Sequence, residues 1–255
     1  MSLTRLALCF AAPIPNLEDF ERYLFVGPHP DDIEIGAGAT VSRLVSLDKQ
    51  VTFLICTDGR YGDENTTLRG PELAAVRKEE ALRSAGRLGV EDVRFLELSD
   101  GGLYTQEALL SGIARVIGAV QPQVIFAPDP SVASECHVDH LNVGQAVRRL
   151  AYLAPNSGIM EQYGTKPSRI QALAFYMTAR PNRFVSTRGH LQNQLDAIFS
   201  CHLSQFPAGC AGANSIRLYL KLRSVDFGIR SFKGQAEGFR VLGQTQMHCL
   251  PEADK

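Results

Sequence analysis

The chain has 255 residues, of which 45% are hydrophobic and 21% charged, and its formal net charge is −1. These values are ordinary for a globular protein with a sizeable core. The near-neutral charge gives no electrostatic footprint for nucleic acid or an acidic membrane, and no apolar run reaches the roughly 20 residues that span a bilayer.

The cysteines and the amino-terminal segment bear on the cellular compartment. Six cysteines are widely spaced and form no CxxC pair: Cys9, Cys56, Cys136, Cys201, Cys210 and Cys249. This usage is typical of reduced, structural thiols in a cytoplasmic protein, and Cys136 is expected to be a packed thiol. Residues 4–12 resemble a signal peptide only faintly, so we expect residues 1–22 to be an extension that forms an edge strand or a docked arm.

Short apolar runs alternate with segments of helical periodicity along the first two thirds of the chain. The predicted strands are Tyr23–Pro28, Val51–Cys56, Val93–Leu98, Val124–Ala127 and Leu173–Met177. The predicted helices are Gly36–Asp48, Glu72–Leu88, Gln106–Val120 and His140–Leu153. This rhythm is typical of an α/β, Rossmann-like fold with a mainly parallel, doubly wound sheet and helices on both faces.

The pattern becomes more irregular after about residue 179. Its predicted elements are helices near Gln192–Leu203 and Ser215–Val225 and an apolar piece at Phe239–Leu242. Pro155–Pro167 is expected to be a surface loop. Because no linker, repeat or low-complexity tract is visible, we predict a single domain over 1–255 with its core at about 23–242.

Two polar clusters follow predicted strands. His29-Pro30-Asp31-Asp32 ends the first strand, and Cys136-His137-Val138-Asp139-His140 follows the fourth. In open α/β sheets, ligands bind outside the carboxyl ends of the strands, so both clusters are expected at one rim. Imidazole and carboxylate are suitable ligands for a divalent metal. The sequence therefore predicts a catalytic metal site there.

Each cluster also has a structural interpretation. Asp31 and Asp32 could cap the following helix, where carboxylates favour the helix dipole, and a lone histidine is usually structural. Three of the six histidines, however, fall at two strand ends beside aspartates. The metal-site hypothesis explains that coincidence, and the structural interpretation does not.

The motifs resemble a known family. His29-Pro30-Asp31-Asp32, the following Gly36–Thr40 segment and His137-Val138-Asp139-His140 together resemble the signatures of the LmbE/PIG-L-like zinc-dependent N-deacetylases. Weaker resemblances lie at Thr57–Gly62, Arg77–Glu80, Ser99–Gly101, Ser204-Gln205 and Ala236–Arg240. The resemblance spans roughly residues 23–242 and implies a Rossmann-like deacetylase domain.

The resemblance also implies the roles of individual residues. The metal ligands would be His29, Asp32 and His140, holding one Zn²⁺ per chain, with Fe²⁺ or another divalent ion also suited to this set. Asp31 would be the general base, and His137, oriented by Asp139, would polarise the amide carbonyl as an imidazolium. Candidate substrate-binding residues are Arg77, Arg60 and Tyr61.

The leading hypothesis is a metal-dependent hydrolase that removes an N-acetyl group from an amino sugar or an N-acetylglucosamine conjugate. One alternative is a metal-dependent hydratase or lyase that acts on a small carboxylic acid with the same site. Another is a non-catalytic Rossmann-like ligand-binding protein. The expected partner is a small amino-sugar molecule, without nucleic acid or membrane, and a homo-oligomer is left open.

Overall fold

The computed structural model describes residues 3–248 and residue 250, with seven strands and eight helices among them. The strands are β1 (Arg22–Gly27), β2 (Gln50–Thr57), β3 (Asp92–Leu98), β4 (Val124–Pro128), β5 (Ala172–Tyr176), β6 (Arg183–Ser186) and β7 (Ala236–Gly243). The helices are α1 (Leu3–Ala11), α2 (Asp32–Ser46), α3 (Gly70–Leu88), α4 (Gln106–Val120), α5 (Val138–Leu153), α6 (Ser157–Gln162), α7 (Leu191–Cys201) and α8 (Ala211–Ser231).

All seven strands form one sheet in the order β3-β2-β1-β4-β5-β7-β6. The first five strands in that order are parallel, whereas β7 runs antiparallel to both β5 and β6. The predicted mainly parallel α/β sheet is therefore confirmed. The chain order reverses between β1 and β4, and such a switch point is where α/β sheets bind ligands.

The core has two layers because both faces of the sheet are covered. Alternate residues of β1 show this: Tyr23 and Phe25 pack in the layer with α2, α3 and α7, whereas Leu24 and Val26 pack in the layer with α4 and α5. The rings of Phe25 and Phe126 stack at 4.1 Å between centroids and tie β1 to β4. The two site-bearing strands therefore share a rigid base.

The carboxyl-terminal part is more regular than the sequence pattern indicates. β6 and β7 extend the sheet, and α8 has 21 residues where a shorter helix was expected. Part of the expected loop at Pro155–Pro167 forms the helix α6. The Asn156 side chain caps this helix by accepting a hydrogen bond from the Ile159 amide at 3.0 Å. Short edge elements of this kind carry too few periodic residues to be predicted.

The amino-terminal segment forms a helix rather than the expected edge strand. α1 is rich in leucine and alanine and lacks β-branched residues apart from Thr4, a composition that favours helix. The residues after it do dock on the body, since Leu17 and Phe20 are buried. The Tyr23 hydroxyl donates to the Leu17 carbonyl at 2.8 Å.

Helix α2 lies unusually close to its neighbours. A Cβ atom built on Gly36 would lie 2.2 Å from the Tyr176 ring, and one on Gly38 would lie 2.9 Å from Gln194 Cγ. The Gln194 amide donates to the Glu34 carbonyl at 2.8 Å and to Glu237 Oε1 at 2.9 Å. α7 and β7 thus hold the amino-terminal half of α2 in place.

The remaining compositional expectations concern membranes and thiols. Within the described residues, no helix has the length and hydropathy needed to cross a bilayer. Cys56 and Cys201 are buried and free, but Cys136 is exposed instead of packed, because the loop before α5 lies at the surface. The side chains of Cys9 and Cys249 lie outside the described part of the chain.

Substituting Gly36→Ala tests the close approach of α2 and Tyr176. The added methyl group would overlap the buried ring, so we expect the free energy of unfolding to fall by about 1–3 kcal/mol. Gly86→Ala is the matched control, because a Cβ there meets nothing within 4 Å and alanine is the better helix former. Urea unfolding of both variants would measure the difference, and equal effects would contradict this packing.

Candidate metal centre

The two polar clusters meet at the carboxyl ends of β1 and β4. His29 lies two residues after the end of β1, and His137 is the N-cap residue of α5. The ring centroids of His29 and His137 are 4.6 Å apart, and those of His137 and His140 are 4.8 Å apart. One nitrogen from each of the three rings lies within 4.8 Å of the others, a spacing that could hold a metal ion.

Asp32 joins two of these imidazoles. Its Oδ2 lies 3.0 Å from His29 Nδ1, and its Oδ1 lies 3.4 Å from His140 Nε2. Metal bonds of about 2.0–2.2 Å at tetrahedral angles put neighbouring ligand atoms roughly 3.3 Å apart. The donor set and its spacing therefore fit a divalent metal ion.

In both His29 and His140, the other ring nitrogen contacts a further carboxylate. His29 Nε2 lies 3.0 Å from Asp139 Oδ2, and His140 Nδ1 lies 2.9 Å from Glu135 Oε2. If each carboxylate accepts the ring N–H, the other nitrogen presents its lone pair toward Asp32. The hydrogen bonds thus favour the two tautomers that a metal ion needs.

Asp139 is placed differently from what the resemblance implies. Its Oδ2 is 3.9 Å from His137 Nδ1, so the carboxylate contacts His29 instead. The fully buried side chain points back toward the sheet, where the amides of Gly101 and Gly102 donate to it at 2.7 and 2.8 Å. As the N-cap residue, His137 turns toward solvent.

His137 is distinguished from the other two rings by its hydrogen bonding. Its Nδ1 accepts from the Asp139 amide at 3.3 Å, which leaves the ring proton on Nε2. Burial, together with the charges of His29 and His140, lowers the pKa of His137. The ring is therefore a neutral donor, and the expected imidazolium is not favoured.

The surroundings of His29 and His140 raise the pKa of each ring, whereas those of His137 lower it. Although burial opposes protonation, hydrogen bonds from the His29 ring to Asp139 and Asp32 raise the pKa of His29 to about 10. Burial likewise opposes protonation of His140, but Asp32 and then Glu135 raise its pKa to about 9. The carboxylates that favour a proton on these rings also favour a metal cation, which competes with the proton for the same lone pairs.

Asp31 lies beside this group on a strained backbone. Its φ of 115° falls in the left-handed region, which is costly for a residue other than glycine. It occupies the N-cap position of α2, but its side chain makes no capping hydrogen bond, so the capping interpretation does not explain it. Burial raises its pKa to about 6, against the opposing charge of Arg77.

Arg77 contacts Asp31 from the protein interior. It is only 3% exposed, and its guanidinium donates to the Pro30 carbonyl at 2.7 Å, to Gly59 O at 3.1 Å and to Asp31 Oδ2 at 3.3 Å. A Cβ on Gly59 or Gly62 would lie under 3 Å from it. The glycines of this loop therefore make room for the arginine, and the substrate contact of Arg77 stays a prediction.

The other two substrate candidates differ in availability. Arg60 is committed to Asp58, with Nε 2.8 Å from Oδ2. The side chain of Tyr61 is largely exposed, and its backbone amide donates to Asp100 at 3.1 Å. Tyr61 thus remains a candidate for substrate contact, whereas Arg60 would first have to leave its carboxylate.

Several supporting residues were missed by sequence reasoning. Glu135 lies in an irregular loop, and its only signal is its position five residues before His140. The fully buried His202 lies 3.4 Å from Glu34, and Glu80 accepts from the Ser204 amide and hydroxyl at 2.8 and 2.6 Å. Ser204 thereby anchors its segment behind α3.

Comparison with known proteins agrees with this geometry. Residues 24–151 match the family model described as PIG-L, GlcNAc-PI de-N-acetylase. The chain belongs to the PIG-L family. The matched segment runs from β1 to α5 and includes both polar clusters, so the resemblance seen in the motifs is confirmed.

Three of the similar proteins are deacetylases by name. The chain is 34% identical over 239 residues to the diacetylchitobiose deacetylase of Thermococcus kodakarensis, covering 92% of this chain and 88% of that protein. It is 30% identical to the 1D-myo-inositol 2-acetamido-2-deoxy-alpha-D-glucopyranoside deacetylase of Kineococcus radiotolerans, covering 68% and 55%. The structure of N,N'-diacetylchitobiose deacetylase from Pyrococcus horikoshii superposes with a TM-score of 0.88 at 27% identity, covering 100% and 98%.

Removing the outer carboxylates should weaken metal binding without removing a ligand. For Glu135→Gln and Asp139→Asn we expect about a 10- to 100-fold loss of metal affinity, because a neutral amide no longer increases the basicity of the imidazole as the carboxylate does. Competition with a chromophoric chelator would measure it. Glu161→Gln, on exposed α6, is the control and should bind metal normally. Unchanged affinity in both site variants would contradict the assigned contacts.

Proposed function

We propose that this PIG-L family protein is a metal-dependent hydrolase that removes an N-acetyl group from an amino sugar or an N-acetylglucosamine-containing conjugate. The supporting observation is that His29 and His140 turn one nitrogen each toward Asp32, while Asp31 stays outside that contact. This is the composition of a metal site with a separate base. The substrates named for the relatives, diacetylchitobiose and a 2-acetamido glucoside of inositol, favour the sugar class.

We assign His29, Asp32 and His140 as the metal ligands and Zn²⁺ as the ion, with Fe²⁺ as the alternative. Two imidazoles and one carboxylate leave coordination positions open, as catalytic sites require. When bound, the ion would act as a Lewis acid and lower the pKa of water in the site. His137 is left out of the ligand set because its Nδ1 accepts a hydrogen bond from a backbone amide.

Asp31 is the proposed general base. Its carboxylate lies off the ligand set, and a pKa of about 6 suits a base that works near neutral pH. Arg77 fixes the carboxylate from the buried side, which leaves the other oxygen for the attacking water. After attack, the proton on Asp31 can pass to the departing amine, and the products are acetate and the free amino sugar.

His137 is the proposed oxyanion donor. With its ring proton on Nε2, the neutral imidazole can donate to the carbonyl oxygen as negative charge develops there. Such a contact gains strength in the transition state and needs no net charge on the ring. Asp139 then orients His137 through its backbone amide. Its carboxylate orients His29.

The wider setting follows from composition. We propose that residues 1–255 form one catalytic unit, because strands from both halves share one sheet. We also propose a cytoplasmic location, since Cys56, Cys136, Cys201 and Cys210 are free thiols. Tyr61 is the proposed contact to the sugar, being exposed beside the loop that holds Asp139.

The substitution Asp31→Asn should show whether Asp31 acts as the base without being a metal ligand. We expect kcat for amine release from diacetylchitobiose to fall by about 10²- to 10⁴-fold with bound metal retained, because only the proton acceptor is lost. Asp32→Asn is the matched variant and should lose metal as well as activity. Elemental analysis and an amine-release assay would be run on both. Full activity in Asp31→Asn would overturn the assignment of the base, and metal-loaded protein inactive on all acetamido sugars would overturn the function.

A further inference from the structure

The loop that carries Tyr61 lies beside the metal centre and has little packing of its own. We call residues 60–70 the Tyr61 loop, and within this described stretch no residue is buried. The Tyr61 amide donates to Asp100 at 3.1 Å, and a Cβ built on Gly101 would lie 4.0 Å from the Tyr61 ring. The Gly101 amide in turn donates to Asp139 at 2.7 Å. Loops with few buried contacts open readily, so the position of Tyr61 has to be set from outside the loop.

Gln205 contacts the Tyr61 loop at two points. Its side-chain amide donates to the Gly62 carbonyl at 2.7 Å, and its backbone carbonyl accepts from the Asn65 side chain at 3.0 Å. A Cβ on Gly62 would lie 2.3 Å from Arg77 Nη1 and 3.2 Å from Gln205 Oε1. Gly62 therefore lies between these two side chains. Because Tyr61 directly precedes Gly62, Gln205 fixes the backbone next to the tyrosine ring.

The segment that carries Gln205 is itself anchored in the body of the protein. The two carboxylate oxygens of buried Glu80 accept from the Ser204 amide at 2.8 Å and from its hydroxyl at 2.6 Å. His202 is fully buried, and its carbonyl accepts from the Gln205 amide at 3.2 Å. A side chain on so firmly held a turn can fix a loop that has no core of its own.

The contacts of Gln205 reach the loop and not the metal centre. Among the described residues, its hydrogen bonds go to Gly62, Asn65, His202 and Ser204, and none goes to the histidines or aspartates of the site. Losing them should therefore leave the metal ligands in place and alter only contacts made through the Tyr61 loop. A contact that is equally strong in the ground state and the transition state changes KM and leaves kcat as it was.

We propose that Gln205 is a positioning residue that holds the Tyr61 ring beside the metal centre and thereby sets the affinity for the amino-sugar ring. The proposal rests on the proposed function, because an amino-sugar substrate is what gives Tyr61 a ring to contact. A tyrosine ring suits this task, since it offers an apolar face together with a polar end. The Ser204-Gln205 pair then has two tasks: Ser204 anchors the turn, and Gln205 places the loop.

Steady-state kinetics of amine release from diacetylchitobiose test this role. Gln205→Glu keeps the size of the side chain but replaces the N–H donor with an oxygen that faces the Gly62 carbonyl. We expect KM to rise roughly ten-fold and kcat to stay within about two-fold of wild type. Gln162→Glu, exposed on α6, makes the same chemical change elsewhere and should alter neither constant. Wild-type constants in Gln205→Glu, or a lower kcat at unchanged KM, would overturn the proposal.

Two further measurements follow the loop without relying on activity. Trypsin cleavage after Arg60 and Arg69 should be roughly ten-fold faster in Gln205→Glu, since a loop that is not held opens more often. The sequence contains no tryptophan, so Tyr61→Trp supplies a unique fluorophore at the ring position. Adding Gln205→Glu should lower the fluorescence anisotropy of that reporter.

These measurements also separate the present proposal from the function on which it rests. Unchanged trypsin cleavage together with unchanged anisotropy would overturn the placement of the Tyr61 loop by Gln205, whatever the kinetics show. A wild-type protein that releases no amine from any acetamido sugar would overturn the proposed function instead. Cleavage and anisotropy would then still decide whether Gln205 holds the loop.

Discussion

The site depends on a constraint of imidazole chemistry: a neutral ring offers one lone pair and one N–H, on opposite nitrogens. A metal centre that uses His29 and His140 must therefore place an acceptor behind each ring. The fold meets this requirement with Asp139 behind His29 and Glu135 behind His140. Three of these four residues come from residues 135–140, which run from the loop after β4 into the first turn of α5.

The constraint extends to parts of the molecule far from the ligands. Asp139 is a buried carboxylate, and burying a charge is costly unless hydrogen bonds compensate it. The amides of Gly101 and Gly102 provide that compensation, so the loop after β3 reaches a residue of α5. Asp31 shows a similar dependence, because its left-handed backbone is held by Arg77 and by the anchoring of α2 on its neighbours.

The sequence predicted the parallel strands and the convergence of the two histidine clusters because both rest on strong local signals. Long apolar runs such as Val51–Cys56 reveal strands, and the carboxyl ends of parallel strands share an edge whatever the rest of the fold does. It did not predict α1, α6 or β6, whose segments have only nine, six and four residues. It also missed the contact of Glu135 with His140 and did not show that Arg77 is buried. Neither hydrogen-bond direction nor burial of a charged side chain can be read from residue type.

The last strand of the chain has a consequence for how the protein forms during synthesis. β7 lies between β5 and β6 instead of at the rim of the sheet, so the growing polypeptide leaves β5 with an unpaired edge until about residue 243 has emerged. An exposed edge of this kind is open to pairing with other chains. Glu237, which holds α2 through Thr40 at 2.7 Å, also arrives only then. The helix that begins at Asp32 is thus secured by a residue that is synthesised 197 residues after Thr40.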